Sequence, residues 1–239
     1  MDKPVVALLT GRGNNTLKDK NIMPVKGKPL LSYPCEESIK SNYITHYFCS
    51  SDDEKILSIS SKLGFQSIQR PEYLARSDSR HVDTLIHALQ EIKENHNLKP
   101  HILVVLLANS ATVKTSWLDR SINIINNDSK ISAVVPVVKD NDHHPLRSKK
   151  LNDDGFLIPY DEDNFSAISS NRQDLDPCYF LCHNFWTLRI DKCFDENQGY
   201  PPWNFMGKNV FPLEVDFSID VHSPYDIHLT EMWLENNKK

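Results

Sequence analysis

The hydrophobic positions of this chain change period several times, and the changes mark out its elements. Residues 5–9 are an unbroken apolar run, the signature of a strand buried on both faces. Residues 101–107 form a second and still more hydrophobic run, and residues 131–137 a third. Shorter strands are expected at 46–50 and 66–69. Stretches with helical spacing lie between them at 30–41, 52–63, 78–94 and 116–126; in the third, Val82, Leu85, Ile86 and Leu89 share one face. Asp52 and Asp53, at the head of the second, suit the positive end of a helix dipole or simply begin the helix. Strand and helix thus alternate through the first 137 residues, which predicts an α/β fold whose mostly parallel sheet carries helices on both faces.

From 139 to 184 the alternation breaks. The segment is polar and rich in turn formers, and Asp153-Asp154-Gly155 suggests a hairpin. It also carries Phe156, Leu157, Ile158, Tyr160, Phe165 and Ile168, too many apolar side chains for a linker. An insertion over the active edge of the sheet, or an oligomerisation arm, fits better. The alternation resumes with strands at 185–190 and 211–214 and a last helix at 226–235. The chain therefore reads as a single domain, 1–239, with an inserted section at 139–184.

The first strand does not run into its helix through an ordinary short connection. It ends in Gly11-Arg12-Gly13-Asn14-Asn15, followed by Lys18, Lys20 and Asn21. In an open α/β sheet, ligands bind beyond the carboxyl ends of the strands. Glycine permits close backbone approach there, and amide, Arg and Lys donors neutralise polyphosphate charge. Near the end of the chain, "DFSIDVHSPYD" places Asp220 after a short apolar run, with His222 and Asp226 close behind. A hard Mg²⁺ ion serving phosphoryl chemistry takes one or two carboxylates plus phosphate oxygens, a role open to Asp220. Within the insertion, "DHHPLR" (142–147) and "NRQDLDP" (171–177) concentrate imidazole, guanidinium and amide groups. Arginine is the natural partner of a substrate carboxylate because its fork binds bidentately.

Composition narrows the choice of partner. The 239 residues are 39% hydrophobic and 25% charged, ordinary for a globular protein large enough to bury a core. The formal net charge of −5 argues against a nucleic-acid binder held by bulk electrostatics. No apolar run is long enough to span a bilayer, and the opening "MDKPVV" lacks the apolar core of a signal peptide. The five cysteines are scattered without a CxxC pair, so reduced thiols and a cytoplasmic location are expected. Cys178, Cys182 and His183 lack further metal ligands nearby in sequence. "GRGNNT" lacks the G-x-G-x-x-G of a dinucleotide-binding dehydrogenase.

Taken in order, these blocks resemble the acylneuraminate cytidylyltransferases, enzymes that make CMP-activated sialic and related nonulosonic acids. That family opens with an apolar strand, then A-R-x-G-S-K-G, K-N and a "GKPLI" run; here the match is Gly11 to Asn15, Lys20-Asn21 and "GKPLLSY". Its "VSTDD", "RPxxLAxD", "HHPL[KR]", "RQxLP" and "SIDIDTxxDL" correspond to "CSSDDEKI", "RPEYLARSD", "HHPLR", "RQDLDP" and "SIDVHSPYDI". The resemblance covers nearly the whole chain and implies a Rossmann-like nucleotidyltransferase sheet. It implies transfer of CMP from CTP to the anomeric hydroxyl of an α-keto sugar acid, with release of pyrophosphate and Mg²⁺, or Mn²⁺ in its place, as cofactor. Arg12, Lys20 and Asp220 would be catalytic. Gly11, Arg12, Gly13, Asn15, Lys20, Asn21 and Arg70 would hold the nucleotide, with Arg12, Asn15 and Lys20 on the triphosphate and Asn21 and Arg70 on the cytidine. His143, His144, Arg147, Arg172 and Gln173 would face the sugar acid, Asp220 and His222 the metal. The inserted section would be the dimerisation arm of a homodimer.

Some blocks depart from the pattern. The phosphate loop reads "NNT" for Ser-Lys-Gly and is one residue shorter, "LQPTSPLR" becomes "LLANSATVK" with Ala108 in place of Gln, and the expected "PNG" or "ENG" is "LCHN". His222 replaces a second carboxylate, and imidazole suits softer metals than Mg²⁺. Two alternatives therefore stay open: a nucleotidyltransferase with a different sugar or alcohol acceptor, and a catalytically retired nucleotide-binding homologue.

Overall fold

The computed structural model describes residues 3–13, 15–161, 163 and 168–237; Asn14 and Phe165 lie outside the described residues. The chain divides into two compact units, one of residues 1–136 with 182–239 and one of residues 137–181.

The larger unit is organised by β1 (Val5–Thr10), all six residues of which are buried. The chain then passes through a short hairpin, β2 (Pro24–Val25) and β3 (Lys28–Pro29), to α1 (Ser32–Ile39). β4 (His46–Ser51), α2 (Glu54–Lys62), β5 (Gln66–Gln69), α3 (His81–Asn95), β6 (Ile102–Leu107), α4 (Thr115–Asn127) and β7 (Ala133–Lys139) follow. Each helix and strand expected from the pattern up to this point is present, with ends displaced by a few residues. α3 starts at His81 rather than 78 because Ser79 N–H donates to the Arg76 carbonyl, closing a turn just before it.

β1 pairs in parallel with both β4 and β6, and β4 in parallel with β5. This half of the sheet is the parallel one its continuous apolar runs predict. The other half is antiparallel. The last strands of the unit are β11 (Phe185–Arg189) and β12 (Val210–Glu214). β11 inserts between β6 and β7 and runs against both, while β12 pairs with β7. The sheet is thus mixed, with a parallel core.

α5 (Pro224–Asn236) closes the unit with a second cluster in which Trp233 packs with Val25, Leu30, Ala111, Ile219 and Val221. Each fully buried aliphatic side chain there contributes about 1.5–3 kcal/mol. The cluster therefore fixes the chain on both sides of Asp220.

In the smaller unit, the end of β7 pairs with β10 (Tyr179–Leu181), Val137 opposite Leu181. A hairpin joins β8 (Lys149–Leu151) to β9 (Leu157–Pro159). Its turn is the expected one: Gly155 has φ 82°, which a side chain would strain, and Phe156 N–H donates to Asn152 Oδ1 at 2.8 Å.

Arg189, which the hydrophobic pattern did not single out, is 5% exposed at the end of β11. Its Nε donates to the Ile131 carbonyl at 2.9 Å, and its Nη2 to the carbonyls of Ile125 and, at 3.0 Å, Asp128. It therefore caps the C-terminal end of α4, where carbonyls lack intrahelical partners and a cation is favoured. R189M should leave these carbonyls unpaired and cost roughly 2–4 kcal/mol in urea unfolding. An unchanged midpoint would show that water replaces the guanidinium.

Candidate active site

Because β1 runs parallel to β4 and β6 in register, Thr10 lies opposite both Ser50 and Leu107. Three chain exits therefore meet at one edge. The glycines of the first exit are set by space. A Cβ at Gly11 would come within 2.9 Å of the Ala108 Cβ and 3.2 Å of Asn21 Nδ2, and one at Gly13 within 2.7 Å of Asp53 Oδ2. Asp52 Oδ1 accepts the Gly13 N–H at 3.1 Å, while Asp53 caps α2, accepting from Lys55 N–H at 2.7 Å. Both carboxylates are thus employed in holding the loop and starting the helix. Asn21 and Asn15 both donate to the Arg12 carbonyl, at 2.9 and 2.6 Å.

This edge encloses a cleft of roughly 300 Å³. Gly11, Arg12, Asn15, Lys20, Asn21 and Arg70 all line it, so six of the seven expected nucleotide-binding residues are brought together. Gly13 lies against a smaller adjoining hollow with Asp53, and Lys18 is exposed elsewhere on the loop. Arg70 is buried, donating through Nη2 to the Ser50 carbonyl at 2.7 Å and through Nε to Ser50 Oγ at 3.3 Å. Burial lowers it to about 10, partly offset by Asp52. Beside it His81 bonds through Nε2 to Thr10 Oγ1 at 3.1 Å and packs on Trp186. Burial, with help from Arg70 and His183, lowers His81 to about 4, so the imidazole is neutral at physiological pH. Among the described residues no carboxylate lines the cleft.

Asp220 stands at its rim. Its Oδ1 accepts from Asn109 Nδ2, and Asn109 is itself a lining residue. Lys20 Nζ donates to the neighbouring Val221 carbonyl at 3.1 Å. Burial lowers Lys20 below the usual 10.5, against the opposing pull of Asp220. Asp226 accepts from the N–H groups of His222 and Ser223 at 2.9 and 2.8 Å, bonds that outweigh burial and hold its carboxyl below the usual range.

His222 stands beside Asp220, the other residue expected at the metal. Its Nε2 meets Asp220 Oδ2 at 2.9 Å, so it orients the carboxylate. Each carboxylate oxygen has about two acceptor sites and uses one here, which leaves Asp220 able to take a hard cation together with phosphate oxygens. Among the described residues no group of three or more His, Cys, Asp or Glu side chains is gathered for a metal.

The expected sugar-acid residues all belong to the smaller unit, and the fold joins their two motifs. Arg172 Nη1 pairs with Asp142 at 2.5 Å, and Asn141 Nδ2 donates to the carbonyls of Arg172 and Leu175. His143 pairs with Asp140 at 2.6 Å, which raises the imidazole. His144 is buried and caps a short turn, accepting from Leu146 N–H. Arg147 reaches the Asn141 carbonyl at 3.5 Å, and Gln173 is exposed.

Sequence reasoning missed Asn109, His81, Arg76 and the structural role of Asn184. Asn184 is fully buried; its Nδ2 donates to the Thr112 carbonyl at 2.9 Å and its carbonyl accepts from Leu107 N–H. Thr112 Oγ1 in turn accepts from Ile219 N–H at 2.9 Å, and Asn109 carbonyl from Val221 N–H at 3.0 Å. The departing block "ANSATVK" is therefore the frame on which the Asp220 segment is laid. Such reciprocal polar pairing has no periodicity to read.

A family model described as cytidylyltransferase matches residues 12–173. The N-acylneuraminate cytidylyltransferase of Streptococcus agalactiae serotype V is 24% identical over 236 residues, covering 95% of this chain and 52% of that protein. This chain thus spans about half the length of that relative. The pseudaminic acid cytidylyltransferase of Campylobacter jejuni subsp. jejuni serotype O:2 is 22% identical over 228 residues, 94% of this chain and 93% of the relative. Among solved structures, CMP:2-keto-3-deoxy-manno-octonic acid synthetase complexed with CTP shares the fold, with a TM-score of 0.71 at 13% identity over 99% of this chain and 100% of that one. The family match runs from Arg12 to Gln173, well over half of the chain, and the chain belongs to the cytidylyltransferase family.

Proposed function

We propose that this protein transfers CMP from CTP to the anomeric hydroxyl of a nonulosonic, sialic-acid-like sugar acid, releasing pyrophosphate. The observation that carries the reading is the cleft itself: cationic, lined by no carboxylate among the described residues, set at the carboxyl ends of parallel strands, with one carboxylate held at its rim beside Lys20. The names of the two relatives supply the substrate class, and the resemblance in motif order agrees with them.

In this reading the acceptor hydroxyl gives up its proton to solvent and its oxygen bonds to the α-phosphorus, while the bond from that phosphorus to the oxygen bridging it to the β-phosphorus breaks and pyrophosphate leaves. Negative charge accumulates on the departing pyrophosphate, and the protein's task is to offset it in place. Arg12 and Lys20 face that charge, with Asn15 and the glycine-flanked backbone. Asn21 and Arg70 hold the cytidine, and the rigid seat of Arg70 on Ser50 suits a positioning role. Asp220 would hold Mg²⁺, or Mn²⁺ in its place, whose charge would help neutralise the triphosphate. Asn109 and His222 keep the carboxylate in one orientation.

Arg147, Arg172 and Gln173, with His143 and His144, are the proposed contacts for the sugar acid. The exposed Arg172–Asp142 pair is worth little in water, so the guanidinium is available to a substrate carboxylate. Leu151, Phe156, Leu157 and Tyr160 crowd the β8–β9 hairpin with exposed apolar surface, which supports a role for the 137–181 unit as the arm of a homodimer. No helix among the described residues is long and apolar enough to cross a membrane, and a cytoplasmic location is proposed with the activity.

The direct test is pyrophosphate release with CTP, Mg²⁺ and a panel of α-keto sugar acids. Release with one acid is expected; CTP binding with silence across the panel would sink the proposed acceptor. D220N should lower turnover by about 10²–10³-fold while the melting temperature holds, and a variant that keeps most of its activity would remove the carboxylate from the reaction. Lys20 gives a pH signature. Its ammonium form is present below its folded pKa and lost as pH rises through it, and that pKa lies below the ordinary 10.5. The rate should therefore fall on the alkaline side before pH 10.5, and K20R should move that limb upward. An alkaline limb that does not move in K20R would assign it to another group.

A further inference from the structure

We propose that Arg76 is a triphosphate-binding residue, the cleft's uncommitted cation; this rests on the CTP-dependent reading above. Among the described residues four cationic side chains line the cleft, and three are already engaged. Arg12 donates to Asn15 Oδ1 at 3.3 Å and to the Arg76 carbonyl at 2.9 Å. Lys20 donates to the Val221 carbonyl, and Arg70 holds Ser50 twice. The Arg76 guanidinium has no hydrogen bond or ion pair among the described residues, and the residue is exposed at the cleft.

Its backbone, by contrast, is fixed from several sides. Its carbonyl accepts from both Arg12 Nη1 and Ser79 N–H, and Ser79 Oγ closes the same turn on the Tyr73 carbonyl at 2.7 Å. The two residues before it, Leu74 and Ala75, are buried and root the segment, with Thr84 Oγ1 reaching the Leu74 carbonyl. A rigid mount with a free guanidinium is the arrangement a polyanion exploits. Little backbone entropy is lost on binding, no internal ion pair is broken, and the planar fork matches phosphate oxygens. The Arg12–Arg76 carbonyl bond also ties this mount to the loop that carries Arg12, and both residues line the same cleft.

The test is calorimetric titration of CTP and CMP, at low ionic strength, into the full chain and its R76A and R76K variants. R76A should weaken CTP by about tenfold while changing CMP by less than about twofold, and R76K should recover part of the loss. Because the guanidinium holds nothing among the described residues, the ligand-free melt of R76A should match the wild type. Equal weakening of CMP and CTP would place Arg76 on the nucleoside and overturn the assignment. So would unchanged CTP affinity, or a lowered melt that reveals a structural contact. A wild type that binds neither nucleotide would overturn the cytidylyltransferase reading and this proposal with it, whereas a wild type that binds CTP no better than R76A overturns only the role of Arg76.

Discussion

The parallel register of β1 with β4 and β6 is the constraint from which the rest of the site follows. Three strands ending at one level bring three chain exits, each with unpaired backbone groups, into a space about two strand spacings wide. Those groups must find partners or water. The protein answers by making the exits satisfy one another: Gly11 N–H on the Ser50 carbonyl, Ala108 N–H on the Thr10 carbonyl, Arg70 on Ser50. What remains at that edge, the side chains of Arg12, Lys20, Arg70 and Arg76, lines the cleft. The binding surface is the residue of a backbone problem solved almost completely.

The site's electrostatics follow the same logic. Burying cations without carboxylate partners is costly, and the cleft limits the cost by giving Arg12, Lys20 and Arg70 carbonyl and hydroxyl acceptors. Neutral acceptors hold a cation in place without cancelling its charge. The nearest carboxylates are kept just outside, Asp52 on the Gly13 N–H and Asp220 between Asn109 and His222. A field of one sign is thereby preserved where a polyanion is proposed to bind.

Much of this was legible in the sequence because it is periodic or local. The apolar runs at β1 and β6 gave the buried parallel strands, Asp153-Asp154-Gly155 gave the hairpin, and the strand-to-loop transition at Gly11 pointed to five of the residues that line the cleft, with Arg70 added by the family resemblance. Three things were not legible. β11 reads as one more strand, and nothing in its five residues says that it runs against β6 and separates it from β7. Asn109 and Asn184 look like ordinary loop residues until their partners, more than a hundred residues away for one and about seventy for the other, are in view. His222 offered a metal ligand by position, and only the fold shows its Nε2 turned onto Asp220. Patterns report what repeats, and long-range polar pairing does not repeat.

The placement of β11 has one more outcome. With β7 held beside β11, its far end pairs with β10, so the chain leaves the sheet after Lys139 and re-enters at Tyr179, directly opposite. The ends of the segment between them are held by the sheet, so its length costs only the slowly growing entropy of closure. The segment is a cassette with a fixed socket. A lineage could lengthen, shorten or exchange it without altering the register of a single core strand, and the cleft would be inherited unchanged.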